Sequence, residues 1–170
     1  MPEQVSDQEF RAVLSRLAAG VVLLTAHDPD EGLSGTDLGM TVTAFLSVSL
    51  EPPLVLVSVH HGSHMSPLLA ERRVWAASLL AEGQHEVADR FAVKHQAGDW
   101  PRFDDIPHVR GDSSRAPLIG GALATLECRT EQTVQAGDHA LVVGRVLATS
   151  LPSADAGPLT YFCGHYRWMG

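Results

Sequence analysis

Gly39-Met-Thr-Val-Thr-Ala-Phe-Leu-Ser-Val-Ser-Leu-Glu-Pro-Pro53 is the stretch that decides the predicted fold. Side chains of an extended chain point alternately to opposite faces, so its hydroxyl residues would share one face and its apolar residues the other. The hydroxyl residues are Thr41, Thr43, Ser47 and Ser49. Pro52 and Pro53 end the strand because proline has no amide to donate to a ladder. The pattern predicts an amphipathic strand, whose hydroxyl face is either solvated or cradles a ligand.

The composition is typical of a globular protein that forms one domain over residues 1–170. Of the 170 residues, 45% are hydrophobic and 19% are charged, as in ordinary folded chains. The formal net charge of −8 argues against a surface for nucleic acid or anionic membrane, because both require a basic face. No apolar run reaches the length of about 18 residues that a membrane-spanning helix requires. The polar, acidic N-terminus does not have the pattern of a secretory signal peptide.

Cysteine usage predicts a reducing compartment. The chain has two cysteines, Cys128 and Cys163, which lie far apart in the sequence. Secreted domains of this size use closely spaced cysteines as a disulfide framework, whereas cytoplasmic proteins keep their thiols reduced. We therefore expect a cytoplasmic protein.

Strand patterns dominate the rest of the chain. A capping box from Ser6 to Glu9 predicts a helix over 7–19, and a second helical pattern covers 84–92. Strands are predicted over 21–26, 39–53, 54–60, 74–80, 123–133, 140–150 and 159–168, and 94–117 is predicted to be a long loop. Because strands mostly follow strands, the chain is predicted to be mainly β, an antiparallel sheet of six to seven strands that closes into a barrel with a few peripheral helices.

The residues that usually carry catalysis do not form a complete set. His60, His61 and His64 lie close in sequence but are interpreted as polar turn histidines, so no metal site is predicted. Cys163 and His165 would share one face of a strand, but no third group orients them for nucleophilic catalysis. The sequence also contains no glycine motif of the Walker or dinucleotide-binding type.

What remains is a pattern suited to an anion and a flat ring. Ser63, His64 and Ser66 lie at a predicted strand-to-helix turn, where free amides suit a phosphate. Arg90 and Lys94 either add positive charge there or form a solvated face. A phosphate together with a hydrogen-bonding ring along the Thr/Ser strand would be a flavin nucleotide. Such a ligand carries its own redox chemistry, so the protein needs no acid, base or nucleophile.

Seven segments, in order, are similar to one known family. The chain resembles the flavin reductases with the flavin-binding split-barrel fold, which are the reductase components of two-component flavin-dependent monooxygenases. Motifs that carry the resemblance include Ala88-Asp-Arg-Phe-Ala92, Ala136-Gly-Asp-His139 and Tyr161-Phe-Cys-Gly-His-Tyr-Arg167. The matching segments are residues 10–25, 39–53, 63–69, 88–92, 116–128, 136–146 and 161–167. The resemblance implies an antiparallel split β-barrel and a homodimer that binds flavin near the subunit interface.

The resemblance also implies a set of site residues. The flavin ring would lie along Thr41, Val42, Thr43 and Ala44, and the ribityl chain along Ser47 and Ser49. The phosphate end would meet His61, Ser63, Ser66, Arg90, Phe91 and Lys94. The nicotinamide pocket would be bordered by His139, His165, Tyr166 and Arg167. Many members carry Asn or Ser where this chain has Thr43, followed by Ser at the position of Ala44, so the implied contacts there are backbone ones.

The activity implied by the resemblance is hydride transfer from NADH or NADPH to free FMN or FAD. The reduced flavin would then diffuse to a partner oxygenase. His139 would be the catalytic residue, a ring-nitrogen donor that polarises the flavin or orients the nicotinamide amide. Two alternatives stay open from the sequence. One is a split-barrel oxidase that retains its FMN, and the other is a flavin-binding protein without reductase activity.

Overall fold

The computed structural model describes residues 4–169. Its strands are β1 Ala19–Gly20, β2 Val22–Asp28, β3 Thr36–Val42, β4 Phe45–Leu50, β5 Pro53–His60, β6 Val74–Leu79, β7 His108–Arg110, β8 Pro117–Ile119, β9 Ala124–Ala136, β10 His139–Ser150, β11 Leu159–Phe162 and β12 His165–Trp168. Its helices are α1 Asp7–Leu14 and α2 His85–Ala92, with short 3-10 helices at Ser66–Leu69 and Glu82–Gln84.

Seven strands form one antiparallel sheet in the order β3-β2-β6-β9-β10-β5-β4. Two smaller sheets accompany it, β1-β11-β12 and β7-β8. Within residues 4–169 no ladder joins the edge strands β3 and β4, so the large sheet is open between them. The predicted mainly β, antiparallel, seven-stranded architecture is confirmed. No helix in the described part of the chain is long and apolar enough to cross a membrane.

The large sheet is covered by apolar residues on both faces. On one face, Val57 of β5 and Trp75 of β6 belong to a first buried cluster. On the other face, Leu23 of β2 packs with Phe91 of α2 and Phe103 of the following loop in a second cluster. Successive residues of β2 therefore enter different clusters, and this explains why its sequence is a continuous apolar run rather than an alternating one.

Several predicted elements are confirmed with changed ends. The capping box is present: Glu9 N donates to Ser6 Oγ and Ser6 N donates to Glu9 Oε2. However, α1 ends at Leu14, five residues before the predicted end, and the chain then turns towards β1. The C-terminal stretch predicted as one strand is the hairpin β11-β12, because Cys163 and Gly164 have φ values of 49° and 80° and reverse the chain. The predicted loop 94–117 contains β7 and the first residue of β8.

The prediction that one hydroxyl face runs along 39–53 is wrong. The stretch is interrupted at Thr43 and Ala44, which separate β3 from β4. A register shift between Ser47 and Ser49 in the β4-β5 ladder then reverses the alternation. Thr41 points away from the sheet opening, since its Oγ1 donates to the Ala88 carbonyl of α2 at 2.7 Å. A bulge and a break change which face a side chain occupies, and neither leaves a signal in the residue pattern.

Gly39 is where β3 passes under α2, and its replacement tests this packing. A Cβ at Gly39 would lie 2.8 Å from Phe91 Cδ1 and 3.0 Å from Phe103 Cζ. Both rings are buried, so we expect Gly39→Ala to lower the free energy of unfolding by about 1–3 kcal/mol. Gly83→Ala is the matched control, because nothing lies within 4 Å of its Cβ position. Urea unfolding of both variants makes the comparison, and an unchanged midpoint for Gly39→Ala would contradict the packing described.

Candidate functional site

Three separate segments of the chain meet at the end of β5. Ser58 N of β5 donates to the Ala44 carbonyl at 3.1 Å, which holds the break between β3 and β4 beside this strand. On the other edge, the ladder pairs His60 of β5 with His139 of β10. His61 N, in the turn after β5, donates to the Asp138 carbonyl at 3.0 Å. The structure thus brings together Ala44, the turn at 61–66 and the β9-β10 turn.

The break between β3 and β4 offers unused backbone donors. The amides of Thr43 and Ala44 have no acceptor among residues 4–169, and both residues are exposed. These amides are available because β3 and β4 diverge here and no neighbouring strand pairs with them. A flat ring with heteroatoms along one edge is a suitable acceptor for such donors. Val42, by contrast, is buried in the first apolar cluster, so only its backbone is available to a ligand.

The turn after β5 offers a second group of amides. Gly62 N donates to His60 Nδ1 at 2.9 Å, Ser63 N donates to the His60 carbonyl, and Ser66 N donates to Ser63 Oγ at 3.2 Å. The amides of His64 and Met65 have no acceptor in the described part of the chain. Consecutive free amides in a turn form a concavity that attracts anions. The short helix that follows this turn begins at Ser66, and Met65 is its N-cap residue.

Asp138 orients the histidine that follows it. His139 Nδ1 lies 2.6 Å from Asp138 Oδ1, and the His60 ring lies edge-on to the His139 ring with centroids 5.3 Å apart. The hydrogen bond from His139 lowers the pKa of the Asp138 carboxyl, which keeps it an acceptor. Nδ1 of a neutral His139 must then carry the proton, and Nε2 is left as an acceptor. A neutral His139 therefore accepts hydrogen bonds at Nε2, and it donates there only when it is protonated.

His64 connects the turn to the long loop after α2. Its Nε2 donates to the Gly39 carbonyl at 3.1 Å, and its ring lies 4.6 Å from that of Trp100 at an angle of 33°. Burial of the ring lowers the pKa of His64, so at neutral pH the ring is uncharged. Trp100 Nε1 donates to Glu31 Oε1 at 2.7 Å. The sequence pattern singled out His64 and the long loop but not the contact between His64 and Trp100, because the two residues lie 36 positions apart.

Two of the predicted phosphate-end residues contribute to packing in this structure. The Arg90 guanidinium donates to both carboxylate oxygens of Asp105, at 2.6 and 2.8 Å, and this contact lowers the pKa of Asp105. Phe91 is buried and stacks on Phe103 with centroids 4.7 Å apart. Lys94 is exposed and has no ion-pair partner among residues 4–169. Of the three, only Lys94 has a side chain available to a ligand.

The predicted nicotinamide border is divided between two sheets. His165, Tyr166 and Arg167 lie on β12, which pairs with β11 in the small sheet. Tyr166 packs against the second apolar cluster, and burial raises its pKa to about 12. Within residues 4–169, no hydrogen bond or ring contact joins this hairpin to the end of β5 where His139 lies. Nor do the described residues contain a group of three or more metal-ligating side chains arranged to hold a metal ion.

Comparisons with known proteins agree on one family. The family model described as "Flavin reductase like domain" matches residues 14–170. The chain is 36% identical over 160 residues to the reductase component of 4-hydroxyphenylacetate 3-monooxygenase from Thermus thermophilus, covering 94% of this chain and 95% of that protein. It is 35% identical over 159 residues to the NADH-dependent FAD reductase of Streptomyces globisporus, covering 94% and 84% of the two chains.

Solved structures give the same result. The NADH:FAD oxidoreductase SgcE6 of Streptomyces globisporus superimposes with a TM-score of 0.86 at 32% identity, covering 100% of this chain and 99% of that one. BorF, the flavin reductase component of a bacterial two-component tryptophan halogenase, superimposes with a TM-score of 0.84 at 35% identity, covering 96% and 98%.

The Asp138 contact predicts the tautomer of His139, which NMR measures directly. We expect the nitrogen shifts of a neutral His139 to show a protonated Nδ1 and an unprotonated Nε2. Asp138→Asn should shift the ring towards the Nε2-protonated form that is usual for free histidine, because the amide is a weaker acceptor than the carboxylate. His165 is the internal control, since it lies on another sheet. Identical His139 shifts in the two proteins would contradict the assignment.

Proposed function

The chain belongs to the flavin reductase family, and we propose that it transfers hydride from NADH to free FMN or FAD and supplies the reduced flavin to a separate flavin-dependent monooxygenase. The relatives described above are named as NADH-dependent reductases or as reductase components of two-component systems. The observation that carries the proposal is the pair of unused amides at Thr43 and Ala44, which lies at the same end of β5 as the anion-binding turn and His139.

The residues present fit a flavin nucleotide. The amides of Thr43 and Ala44 suit the heteroatom edge of the ring, and those of His64 and Met65 suit its phosphate. Ser47 and Ser49 of β4 lie between these two groups in sequence, and because the bulge between them turns them to opposite faces of the sheet, only one of the two would line the ribityl chain. His61, Ser63 and Ser66 belong to the turn itself. Lys94 would add charge at the phosphate end, whereas Arg90 and Phe91 would act by fixing the loop that carries it.

The flavin, when bound, supplies the ring that accepts the hydride. The protein contributes positioning. Backbone donors at the sheet opening hold the ring edge, and the anion-binding turn fixes the other end of the ligand. Because Nδ1–H of neutral His139 is used by Asp138, the ring would not be the donor to the ligand that the resemblance implied. Its Nε2 would instead accept a hydrogen bond from the carboxamide amine of the nicotinamide and so orient the reductant towards the flavin. Holding the two reactants together in this way removes much of the entropic cost of their encounter. This is the main contribution to catalysis available to a site without an acid or base.

We further propose that the protein is a homodimer in which α1 is buried against the second copy. No residue of α1 is buried within the subunit. Phe10 and Val13 of this helix are 60% and 68% exposed, and Leu17, just after the helix, is 69% exposed. Leu50 at the end of β4 is 91% exposed. Exposed large apolar side chains gathered on one helix normally mark an interface.

The C-terminal hairpin belongs to the same proposed surface. Cys163 N donates to the Ser15 carbonyl at 2.9 Å, which ties the hairpin to the end of α1. Tyr161 and Trp168 of the hairpin are also exposed. A dimer built on this surface would let the predicted nicotinamide-border residues of one subunit reach the site of the other: these are His165, Tyr166 and Arg167. A cytoplasmic location, in keeping with the two separated cysteines, forms part of the same proposal.

The test of the function is NADH consumption by the purified protein. We expect oxidation that requires added FMN or FAD and saturates with it, because the flavin is a substrate. A protein that stays yellow through gel filtration and gains nothing from added flavin would instead be an oxidase that retains FMN. Flavin binding without oxidation of either NADH or NADPH would identify a binding protein and exclude the reductase.

If the proposed dimer is correct, dimerisation should depend on Val13. Val13→Asp should convert the dimer seen in sedimentation to a monomer, because it places a charge in the proposed interface. The subunit should still fold, because no residue of α1 is buried within it. Gln8→Asp is the matched control on the same helix, and it should leave the dimer intact. Equal sedimentation of the two variants would exclude α1 from the interface.

A further inference from the structure

A small pocket at the rim of the large sheet, where β2 ends and β6 begins, is not used by the proposed function. It has a volume of about 380 Å³, and pockets that hold small molecules usually measure about 300–1,000 Å³. None of its lining residues belongs to the predicted flavin or nicotinamide site. Val21, which precedes the other end of β2, donates its amide to the Leu159 carbonyl of the C-terminal hairpin. The proposed dimer surface thus lies at the opposite end of the strand and leaves this pocket open.

Two arginines line the pocket, and neither has an acidic partner. Arg73 lies just before β6, and Arg115 lies between β7 and β8. Within residues 4–169, neither guanidinium forms an ion pair, and no aspartate or glutamate lines the pocket. Two unpaired cations at one concavity repel each other, and an anion between them would replace this repulsion by attraction. The charges of the pocket therefore favour an anionic ligand.

The loop that carries Arg115 is fixed by a buried carboxylate. Oε1 of Glu127 accepts hydrogen bonds from Ser113 N at 3.0 Å, from Ser114 N at 2.7 Å and from Ser114 Oγ at 2.8 Å. Arg115 N donates to the Gly111 carbonyl at 3.0 Å, and Arg115 has a φ of 61°. A non-glycine residue keeps this left-handed conformation only where its surroundings hold it. Arg115 is thus positioned before a ligand arrives, which lowers the entropic cost of binding.

The chain before β6 positions the second arginine in a similar way. Arg72 has a φ of 65°. Its amide donates to the Thr130 carbonyl at 3.0 Å, and Thr130 N donates to the Arg73 carbonyl at 2.9 Å. Of the two consecutive arginines, Arg73 lines the pocket and Arg72 does not. The left-handed turn therefore separates two neighbouring side chains of the same type.

The rest of the lining is largely apolar. Ala26 of β2 and Leu68 of the first 3-10 helix belong to the first apolar cluster, and Val74 begins β6. A ligand that filled the pocket would therefore combine an anionic head with a small apolar body. The head would be a carboxylate or a phosphate, because the planar guanidinium matches the geometry of both groups.

We propose that this pocket binds a small organic oxyanion, with its carboxylate or phosphate between Arg73 and Arg115 and its apolar body against Ala26, Leu68 and Val74. The binding is reversible and involves no chemical step. It is a second site on the protein, and it does not depend on the proposed function.

The first test measures binding to the unmodified protein by titration calorimetry. Benzoate is the probe, benzamide has the same shape without the charge, and acetate has the same head without the apolar body. We expect benzoate to bind about tenfold or more tightly than either, because each of the two lacks one of the recognised features. Phenyl phosphate distinguishes the two heads, since the tighter of benzoate and phenyl phosphate identifies the group that the arginines select. Equal affinities for benzoate and benzamide would overturn the proposal.

The second test removes the arginines one at a time. Arg73→Gln and Arg115→Gln should each weaken benzoate binding by about tenfold or more, because each removes a charged donor to the head. Arg72→Gln is the matched control: it removes the same charge from the same turn but from a side chain outside the pocket. It should leave the affinity unchanged. Equal weakening in all three variants would show unspecific attraction of the anion and would exclude the site.

A competition experiment separates this pocket from the anion-binding turn after β5. Benzoate should bind with the same affinity in the absence of FMN and at saturating FMN, because no lining residue of the pocket belongs to the flavin site. Loss of benzoate binding in the presence of FMN would place the anion at the turn and overturn the proposal. Neither this experiment nor the comparison with benzamide requires a variant to fold. A protein that binds benzoate but oxidises no NADH fails the proposed function alone, and one with the opposite behaviour fails this inference alone.

Discussion

The register of β5 is the constraint on which the candidate site depends. Val55, Val57 and Val59 fill the first apolar cluster from alternate positions, so a slip by one residue would turn all three towards the other face. With the valines fixed, the ladders on both edges of β5 are fixed as well. One ladder sets the position of the opening after β3, and the other sets the histidine of the β9-β10 turn. Packing of a few aliphatic side chains thus determines where the polar groups of the site meet.

Sequence patterns predicted the elements better than their junctions. Alternation and apolar runs identified the strands of the large sheet, and the capping box identified the start of α1, because these signals are local. The bulge in β4 and the turn at Cys163 were missed, since each depends on a backbone change at one residue. Arg90 and Phe91 were assigned to the phosphate end, but their partners, Asp105 and Phe103, are 15 and 12 residues away. A residue type alone cannot reveal a partner that the fold supplies.

The proposed anion-binding turn has to act in spite of a formal net charge of −8. Three arginines, Arg90, Arg102 and Arg110, are each neutralised by an aspartate. The turn after β5 instead presents backbone amides and histidines, whose dipoles act at short range. Binding through dipoles depends less on ionic strength than binding through exposed cations, because screening acts mainly on separated charges. An acidic protein can hold a phosphate in this way without a basic patch.

The opening between β3 and β4 has a consequence for how long a ligand stays. Donors inside a closed sheet would be costly to leave empty, since an unpaired buried amide loses its hydrogen bond to water. The amides of Thr43 and Ala44 are at the surface, so water replaces the ligand as soon as it leaves. An enzyme whose product must be passed to another protein benefits from a docking edge of this kind. We therefore expect the gap that keeps the sheet from closing to favour rapid release of a bound flavin.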